Sequence, residues 1–447
     1  MRTSLLVAVV TLLAAGCSSD QQHSDAGFGG GTATGGGSAT GGGTATGGGS
    51  ATGGGGGSAT GGGGSATGGG GGSATGGGSA DAGPGCPHPY GSADRARKLV
   101  ASHPFPNDGG SSDNRFEVFD VSTSGAVTTT GQFFRMGVAT SGQALITFTP
   151  DGTIGLVVQD DGTLGVFRFD DGGTAVIVDP GFNGGFYATQ ILMSSTGQTA
   201  WVLDQDTPGN GGGIYQVALG CDGTPTALGK VLAGDNPTAG AWLHTQAATA
   251  MIAARGLGPI DGGSAYLVDF SPGSPQVVGV VSAFPDADAL VPTLALSEDD
   301  AWAVLPDNGI FAGDRIALLA ADAGIFSPVQ LLTSLGPIGA AFSPFTRRGL
   351  VVNTDGHDAY RSLDYSSGAM PWSVASSPLP YVNGAPQLPA APDLLDRGPL
   401  QGTMFIAELD AVRVLRFAAD GGIVDVSRTS AGGTDNEQVL GTLGVQP

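Results

Sequence analysis

One phrase of sequence occurs twice with the same internal spacing. Phe148-Thr149-Pro150 leads to Gly155-Leu156-Val157-Val158 and Asp161-Gly162. Phe342-Ser343-Pro344 leads to Gly349-Leu350-Val351-Val352 and Asp355-Gly356, 194 residues further on. A fixed period limits the possible folds severely, because each copy must be the same supersecondary unit and must bury its apolar face against its neighbours. The separation equals four units of about 48 residues. A second phrase marks another strand: Phe119-Asp120-Val121-Ser122, Val268-Asp269-Phe270-Ser271 and Leu363-Asp364-Tyr365-Ser366, each followed by Gly. Trp201 and Trp302 supply a third pair, two units apart. On a common ruler an apolar strand recurs near Lys98, Thr153, Thr199, Ala250, Ala301, Gly349 and Thr403. The region from Cys86 onward is built of short runs rich in Val, Ile, Phe and Tyr, cut by Gly, Pro, Asp and Ser clusters. No stretch holds a helical apolar period, which is the all-β pattern. Each unit has room for four strands and their turns. Seven such units predict a single seven-bladed β-propeller of four-stranded antiparallel blades over residues 86–447.

The order of strand, Pro-Asp-Gly turn, strand, Asp-x-Ser-Gly turn and strand resembles the YVTN and lactonase-like seven-bladed propellers. The resemblance covers nearly all of residues 86–447, and it is one of fold, since propellers of this kind host unrelated functions. The first unit lacks an innermost strand before Lys98. The tail from Glu437 to Val445, with Val439, Leu440 and Leu443, is expected to supply it and to join the two ends of the ring. The segment Leu388 to Pro399, which carries Pro389, Pro392 and Pro399, reads as a long loop over one face.

The propeller region is preceded by something quite different. Residues 27–85 are almost wholly Gly, Ser, Ala and Thr in Gly-Gly-Gly-Ser-Ala-Thr repeats. Such a segment has no apolar surface to offset the entropy of ordering, so it reads as a disordered linker. Ahead of it, Arg2 and the apolar run Leu5 to Ala15 have the layout of a secretory signal, and the run is too short to span a bilayer. It ends in Leu13-Ala14-Ala15-Gly16-Cys17, which resembles the lipobox of bacterial lipoproteins. The resemblance implies cleavage after Gly16 and lipid on Cys17. Residues 1–16 are then a signal peptide and 17–26 an anchor segment. Ser18, rather than Asp, after the cysteine favours the outer membrane over the inner. The expected partner through Cys17 is the lipid bilayer, with the propeller held outside the cytoplasm as a monomer.

Charge narrows the other partners. The chain has 17 Lys and Arg against 39 Asp and Glu, a net charge of −22, and only two lysines, Lys98 and Lys230. So acidic a surface repels nucleic acid and anionic headgroups. Of three cysteines, Cys86 and Cys221 remain once Cys17 is lipidated. An exported chain permits a disulfide between them, and two free thiols are the alternative.

No hydrolase elbow, His-Glu-x-x-His, P-loop or Cys-x-x-Cys motif occurs in the propeller region. His244, placed just before an inner strand, and His357, beside Asp355 and Asp358, are the candidates for a ligand or acid–base group at the axial mouth. Asp204, Asp206 and Asn210 put oxygens at alternating positions, as a calcium loop does. They lack the closing Glu, and a solvated turn needs the same residues. Calcium is therefore the one cofactor the sequence offers. Trp242, Tyr266 and Trp372 read as core, with an aromatic binding patch as the alternative. Without a recognisable catalytic set, these features point to a membrane-tethered scaffold that binds a protein or glycan and is not an enzyme. A lactonase-like or other metal-dependent hydrolase, with its site at the axial channel, is the alternative.

Overall fold

The computed structural model describes residues 86–104, 114–139, 146–205, 211–256, 264–271, 275–284, 289–308, 315–334, 336–354, 358–366, 373–374, 379–432 and 440–447. Cys17, the Gly-rich segment, Asp206, Asn210, His357 and Trp372 lie outside the described residues.

The strands fall into seven four-stranded antiparallel sheets. The first blade holds β1 (Arg97–His103), β2 (Asn114–Val121) and β3 (Val127–Met136). The second holds β4 (Thr147–Phe148), β5 (Ile154–Val158), β6 (Leu164–Phe169) and β7 (Ala175–Phe182). The third holds β8 (Ala188–Met193), β9 (Thr199–Asp204), β10 (Gly213–Leu219) and β11 (Pro225–Ala233). The fourth holds β12 (Asp235–Trp242), β13 (Thr249–Gly256), β14 (Ser264–Asp269) and β15 (Gln276–Ser282). The fifth holds β16 (Ala295–Leu296), β17 (Trp302–Asp307), β18 (Arg315–Asp322) and β19 (Ile325–Thr333). The sixth holds β20 (Pro337–Phe342), β21 (Arg348–Asn353), β22 (Tyr360–Asp364) and β23 (Ser373–Val374). The seventh holds β24 (Asp393–Leu394), β25 (Thr403–Glu408), β26 (Ala411–Phe417) and β27 (Ile423–Ser430). The last strand, β28 (Leu443–Val445), pairs with β1 and completes the first blade, with Leu99 opposite Val445. The ring is thus closed by the tail, and no inner sheet edge is left open there.

The recurring strand of the sequence ruler is the second strand of every blade, and each observed start lies within one residue of its expected position. The two copies of the long phrase occupy the same first turn in the second and sixth blades. There Thr149 N–H donates to Ile154 O and Ser343 N–H to Arg348 O. The Asp-x-Ser phrase ends the third strand. In β14 and β22 the Asp carboxylate accepts the Ser N–H two residues on, at 2.9 Å in both, which is the local bond that makes Asp a turn residue.

Among the described residues the core forms seven buried clusters, each shared by two neighbouring blades. One joins Leu192, Leu203 and Ile214 of the third blade to Ile252, Tyr266 and Val268 of the fourth. Another joins Val304, Ile316 and Leu318 of the fifth to Phe342 and Val351 of the sixth. No blade buries both faces alone, so the ring is stable only as a whole. Tyr266 is fully buried in this core, and the Trp242 indole N–H donates to Met193 O at 2.8 Å.

The Pro-rich segment is not simply a loop. Asp393 and Leu394 form the inner strand of the seventh blade between Pro392 and a short 3-10 turn, Gly398–Leu400. A first strand needs only one paired edge, so two residues flanked by proline suffice. Here the inner strands approach closely: a side chain at Gly339 would meet Pro392 Cδ at 2.5 Å, and one at Gly444 would collide with Ile146 O.

Cys86 and Cys221 form a disulfide with Cα atoms 4.8 Å apart. It fastens the segment before β1 to the third blade, where Cys86 N–H also donates to Leu219 O and His88 N–H to Thr196 O. The bridge spans 135 residues, for which chain entropy sets a ceiling of about 5 kcal/mol. Replacing both cysteines by serine is expected to lower the unfolding free energy by several kcal/mol, up to that ceiling. Urea unfolding of oxidised and variant protein measures it.

Candidate functional site

The ends of the second strands carry a polar residue in six blades: His103, Asp204, Asp307, Asn353 and Glu408 close β1, β9, β17, β21 and β25, and Gln159 follows β5. All six are buried. Their partners show why. Asp204 Oδ1 accepts Tyr187 N–H at 2.7 Å and Asp307 Oδ1 accepts Leu290 N–H at 2.9 Å, so each caps the chain entering its own blade from 17 residues upstream. Asn353 accepts from Ser334 Oγ and donates to Asp358 O. His103 Nε2 lies 3.0 Å from Glu117 Oε2. A buried polar group must be paired, and these pair with the loops and strands around them. This face is knitted rather than open, and Asp204 is occupied in holding it. Among the described residues no group of three His, Cys, Asp or Glu side chains comes together that could hold a metal ion.

The densest part of this network is in the seventh blade. Arg413, with no exposed surface, donates from Nε to Glu408 Oε1 at 2.5 Å, from Nη1 to Asp425 Oδ2 at 2.7 Å and from Nη2 to Gly384 O at 2.8 Å. Tyr360 Oη and Arg428 Nε also reach Glu408. Burial works against the Arg413 charge, but Glu408, Tyr360 and Asp425 outweigh it and hold the guanidinium above its ordinary range. The group is enclosed, which suits a structural role.

The opposite face, where first strands turn into second strands, is different. His244 lies there, after inner strand β12 and before β13, so the strand beginning at Ala250 is the second of its blade and not the innermost. The correction follows from β12: its Asp-Asn-Pro-Thr-Ala-Gly-Ala stretch carries too little bulk to read as a strand, yet small residues suit an inner position where blades converge. The His244 side chain keeps 32% of its surface, and its Nδ1 lies 3.1 Å from Oδ1 of Asp300, a carboxylate from the fifth blade that is 6% exposed. The same oxygen accepts His244 N–H at 3.0 Å, and Oδ2 accepts Thr245 N–H at 2.7 Å and Thr245 Oγ1 at 2.6 Å. Asp300 sits at φ +52°, the left-handed conformation that Gly152 and Gly197 take at the same place in the first turns of the second and third blades, and one that Asp tolerates. The bond from Asp300 raises the His244 pKa above the ordinary 6.5. Burial opposes it, and the carboxylates of Asp300, Glu298 and Asp396 add to the rise. Burial also pushes the Asp300 carboxyl up, but the bonds from His244 and Thr245 outweigh it and leave it below its ordinary value. Among the described residues the His244 Nε2 has no hydrogen-bond partner, so it is available to solvent or ligand.

Asp396 belongs to the seventh blade, three blades away around the ring, yet its charge acts on His244. Both residues lie in turns between the first and second strands of their blades, and so on one face of the ring. Asp396 also acts on Asp393 of β24. The Asp393 carboxylate accepts Val445 N–H at 2.7 Å. Flanking β28, residues 442 and 446 bond outward to β1, whereas Leu443 O accepts Ile146 N–H of the second blade. Residues 443 and 445 thus turn their backbone groups toward neighbouring inner strands, and Asp393 meets that inner edge. Asp393 keeps partial surface exposure, but protein encloses it enough that desolvation, reinforced by Asp396 and opposed by the Val445 bond, pushes its pKa up to about 7. A carboxyl that is half ionised at neutral pH is suited to proton transfer. Nothing in the local sequence Ala-Pro-Asp-Leu-Leu-Asp reveals it, because the shift comes from the tail strand and from ring closure.

No protein-family model matches the chain, and no curated protein matches it by sequence. Solved structures do share its fold. A candidate 6-phosphogluconolactonase from Bacteroides uniformis superposes with a TM-score of 0.55 at 13% identity, covering 78% of this chain and 99% of its own. A protein from Lactobacillus plantarum gives 0.56 at 14% identity over 78% and 99%. The periplasmic gluconolactonase of Pseudomonas aeruginosa gives 0.52 at 14% identity over 79% and 99%. These neighbours overturn the expectation of a non-enzymatic module. Proteins named as lactonases share this ring, so the lack of a familiar linear motif carries no weight against catalysis. The chain is a seven-bladed β-propeller, and its fold is similar to that of lactonase-named propellers.

Proposed function

We propose that this protein is a hydrolase of lactones, acting at the axial mouth formed by His244, Asp300, Asp396 and Asp393. The observation that carries the reading is the His244–Asp300 pair. A buried carboxylate from one blade fixes the imidazole of the next by Nδ1 and leaves Nε2 unpartnered on the same mouth as a carboxyl poised near neutrality. The kinship in fold with lactonase-named proteins supports the choice of substrate class.

Chemically, His244 Nε2 takes a proton from water, and the water oxygen bonds to the lactone carbonyl carbon. The ring C–O bond then breaks, and the departing ring oxygen takes a proton from the Asp393 carboxyl. Solvent removes the proton from His244 and returns one to Asp393, so lactone and water give one hydroxy acid. Asp300 is a positioning residue that orients the imidazole and stabilises its charged form. We also propose, from Leu13 to Cys17, that lipid on Cys17 holds this activity outside the cytoplasm.

The test is hydrolysis of glucono-1,5-lactone by the full chain, followed by pH titration. His244→Ala is expected to lower kcat by about 10²–10⁴-fold, the usual worth of a general base. The base must be neutral and the acid protonated, so the rate rises with pH through the raised His244 pKa and falls as Asp393 ionises near 7. Asp300→Asn keeps a hydrogen-bond acceptor but removes the charge, so the rising limb moves to lower pH while kcat drops. A His244→Ala enzyme that keeps wild-type kcat would end this assignment.

A further inference from the structure

Over the described residues from Cys86 to Ala96 no helix or strand forms, yet this segment is bound at several points to the face that carries His244. Cys86 is bonded to Cys221, in the turn between β10 and β11. His88 N–H donates to Thr196 O in the first turn of the third blade, and its Nδ1 lies 2.9 Å from Asp151 Oδ2 in the first turn of the second. Two residues on, the Tyr90 ring lies 3.4 Å from the Arg397 guanidinium, in the first turn of the seventh blade. A side chain at the next residue of that turn, Gly398, would meet Ala93 Cβ at 2.6 Å. Arg95 then returns to the second blade, donating to Asp151 O at 2.5 Å and to Pro447 O, beyond the closing strand, at 3.4 Å. First turns join the innermost strand of a blade to the second, so they stand around the axis. The backbone advances at most about 7 Å between His88 and Tyr90, too little to pass outside the first blade. The segment is therefore a strap across the inner rim, bound to the second, third and seventh blades, while His244 and Asp300 stand in the first turns of the fourth and fifth.

We infer that this strap roofs part of the mouth beside His244 and that the Cys86–Cys221 disulfide is its latch, so that reducing the bridge admits bulkier substrates. The inference rests on the hydrolase reading above and adds its regulation. Pro87, Pro89, Tyr90, Gly91 and Ser92 are exposed, and ordering an irregular segment of this length costs more conformational entropy than a few surface bonds offset. The covalent bond is what holds its front end. Cys221 is exposed, so a dithiol reductant reaches the bridge. One thiolate of the reductant attacks a bridge sulfur and forms a mixed disulfide. Its second thiol then resolves that bond, and the reductant leaves as its own disulfide. Two electrons and two protons pass to the bridge, which becomes the thiols of Cys86 and Cys221. Release of the front end leaves the strap hinged at β1. The mouth widens toward the second and third blades, while His244, Asp300 and Asp393 keep their places on the ring.

The experiment treats the oxidised full chain with dithiothreitol, without denaturant, and follows amide exchange by mass spectrometry beside lactone turnover. In the reduced protein the amides of Cys86 and His88, both bonded to the third blade, are expected to exchange about 10-fold faster or more. Those of β1 are expected to stay protected, which shows that the ring is still folded. The ratio of kcat/KM for dihydrocoumarin, a fused bicyclic lactone, to that for glucono-1,5-lactone is expected to rise about 10-fold on reduction, with kcat for the smaller lactone within about twofold. The double variant Cys86→Ser, Cys221→Ser is expected to behave as the reduced protein and to ignore dithiothreitol. Strap amides that stay protected after reduction, or an unchanged substrate ratio once they are exposed, overturns the inference and leaves the hydrolase reading standing. Turnover of neither lactone in either form overturns the hydrolase reading, and the roofing of its site falls with it.

Discussion

Replacing Asp393 by asparagine is expected to make the protein more stable at pH 8 and nearly inactive. The two effects have one cause. The Asp393 carboxyl titrates near 7 in the folded chain because burial and Asp396 disfavour its charge, whereas an unfolded chain ionises it near 4. Below about pH 4 both states hold the proton and the group favours folding fully. As pH rises from there through 7, the unfolded state releases its proton first, and this contribution is lost. A shift of this size amounts to about 4 kcal/mol at most, and partial exposure reduces it, so about 2–4 kcal/mol is the expected span. Asparagine has no charge to bury, and its Oδ1 can still accept the Val445 N–H. Urea unfolding should therefore find variant and wild type within about 1 kcal/mol of each other at pH 4, with the variant ahead by the full amount at pH 8. In the same variant kcat on glucono-1,5-lactone is expected to fall by about 10²-fold or more, since asparagine cannot give up a proton. A residue that costs stability and is needed for turnover marks a functional site. A variant that loses stability at pH 8, or keeps full activity, assigns Asp393 to the frame instead.

The largest loss of stability is expected at Arg413. Its three donor directions satisfy Glu408, Asp425 and Gly384 at once, with no exposed surface. Arg413→Met leaves two buried carboxylates facing each other across an apolar chain, although Arg428 still reaches Glu408. Breaking a buried ionic network by removing one partner costs about 3–5 kcal/mol. Arg413→Lys is expected to recover less than half of this, because an ammonium cannot bridge three acceptors held in a planar fork. Equilibrium unfolding in urea decides it, and a methionine variant within about 1 kcal/mol of wild type would contradict this account. The same variants are expected to retain lactone turnover while folded, because the network is enclosed on the face away from His244. Activity thus separates the two clusters: loss at Asp393 with gained stability, retention at Arg413 with lost stability.

Much of the fold could be read from local chemistry. The seven second strands, the Asp-x-Ser turns and the closing role of the tail each depend on residues within one unit, repeated at a fixed spacing, and repetition amplifies a weak local signal. The inner strands were less legible. Those of the second, fifth and seventh blades are two residues long, and β12 is built largely of small residues. They are held by neighbouring blades more than by their own propensity. The buried role of Asp204 is not legible either: oxygen-bearing turn residues and buried caps share a composition, and its bond from Tyr187 N–H is set by the fold.

The site divides in the same way. His244 could be singled out from the sequence as one of few histidines in an acidic chain, but its partner Asp300 is 56 residues away in another blade, and no spacing rule connects them. Asp393 was invisible, since its pKa depends on β28, contributed from 52 residues further along. The sequence by itself determined the repeat, the blade count and the strand order, because these follow from short-range pattern. Ring closure decided which polar side chains meet at the axis, because proximity there depends on how all seven blades pack, and with it the burial that tunes their protons.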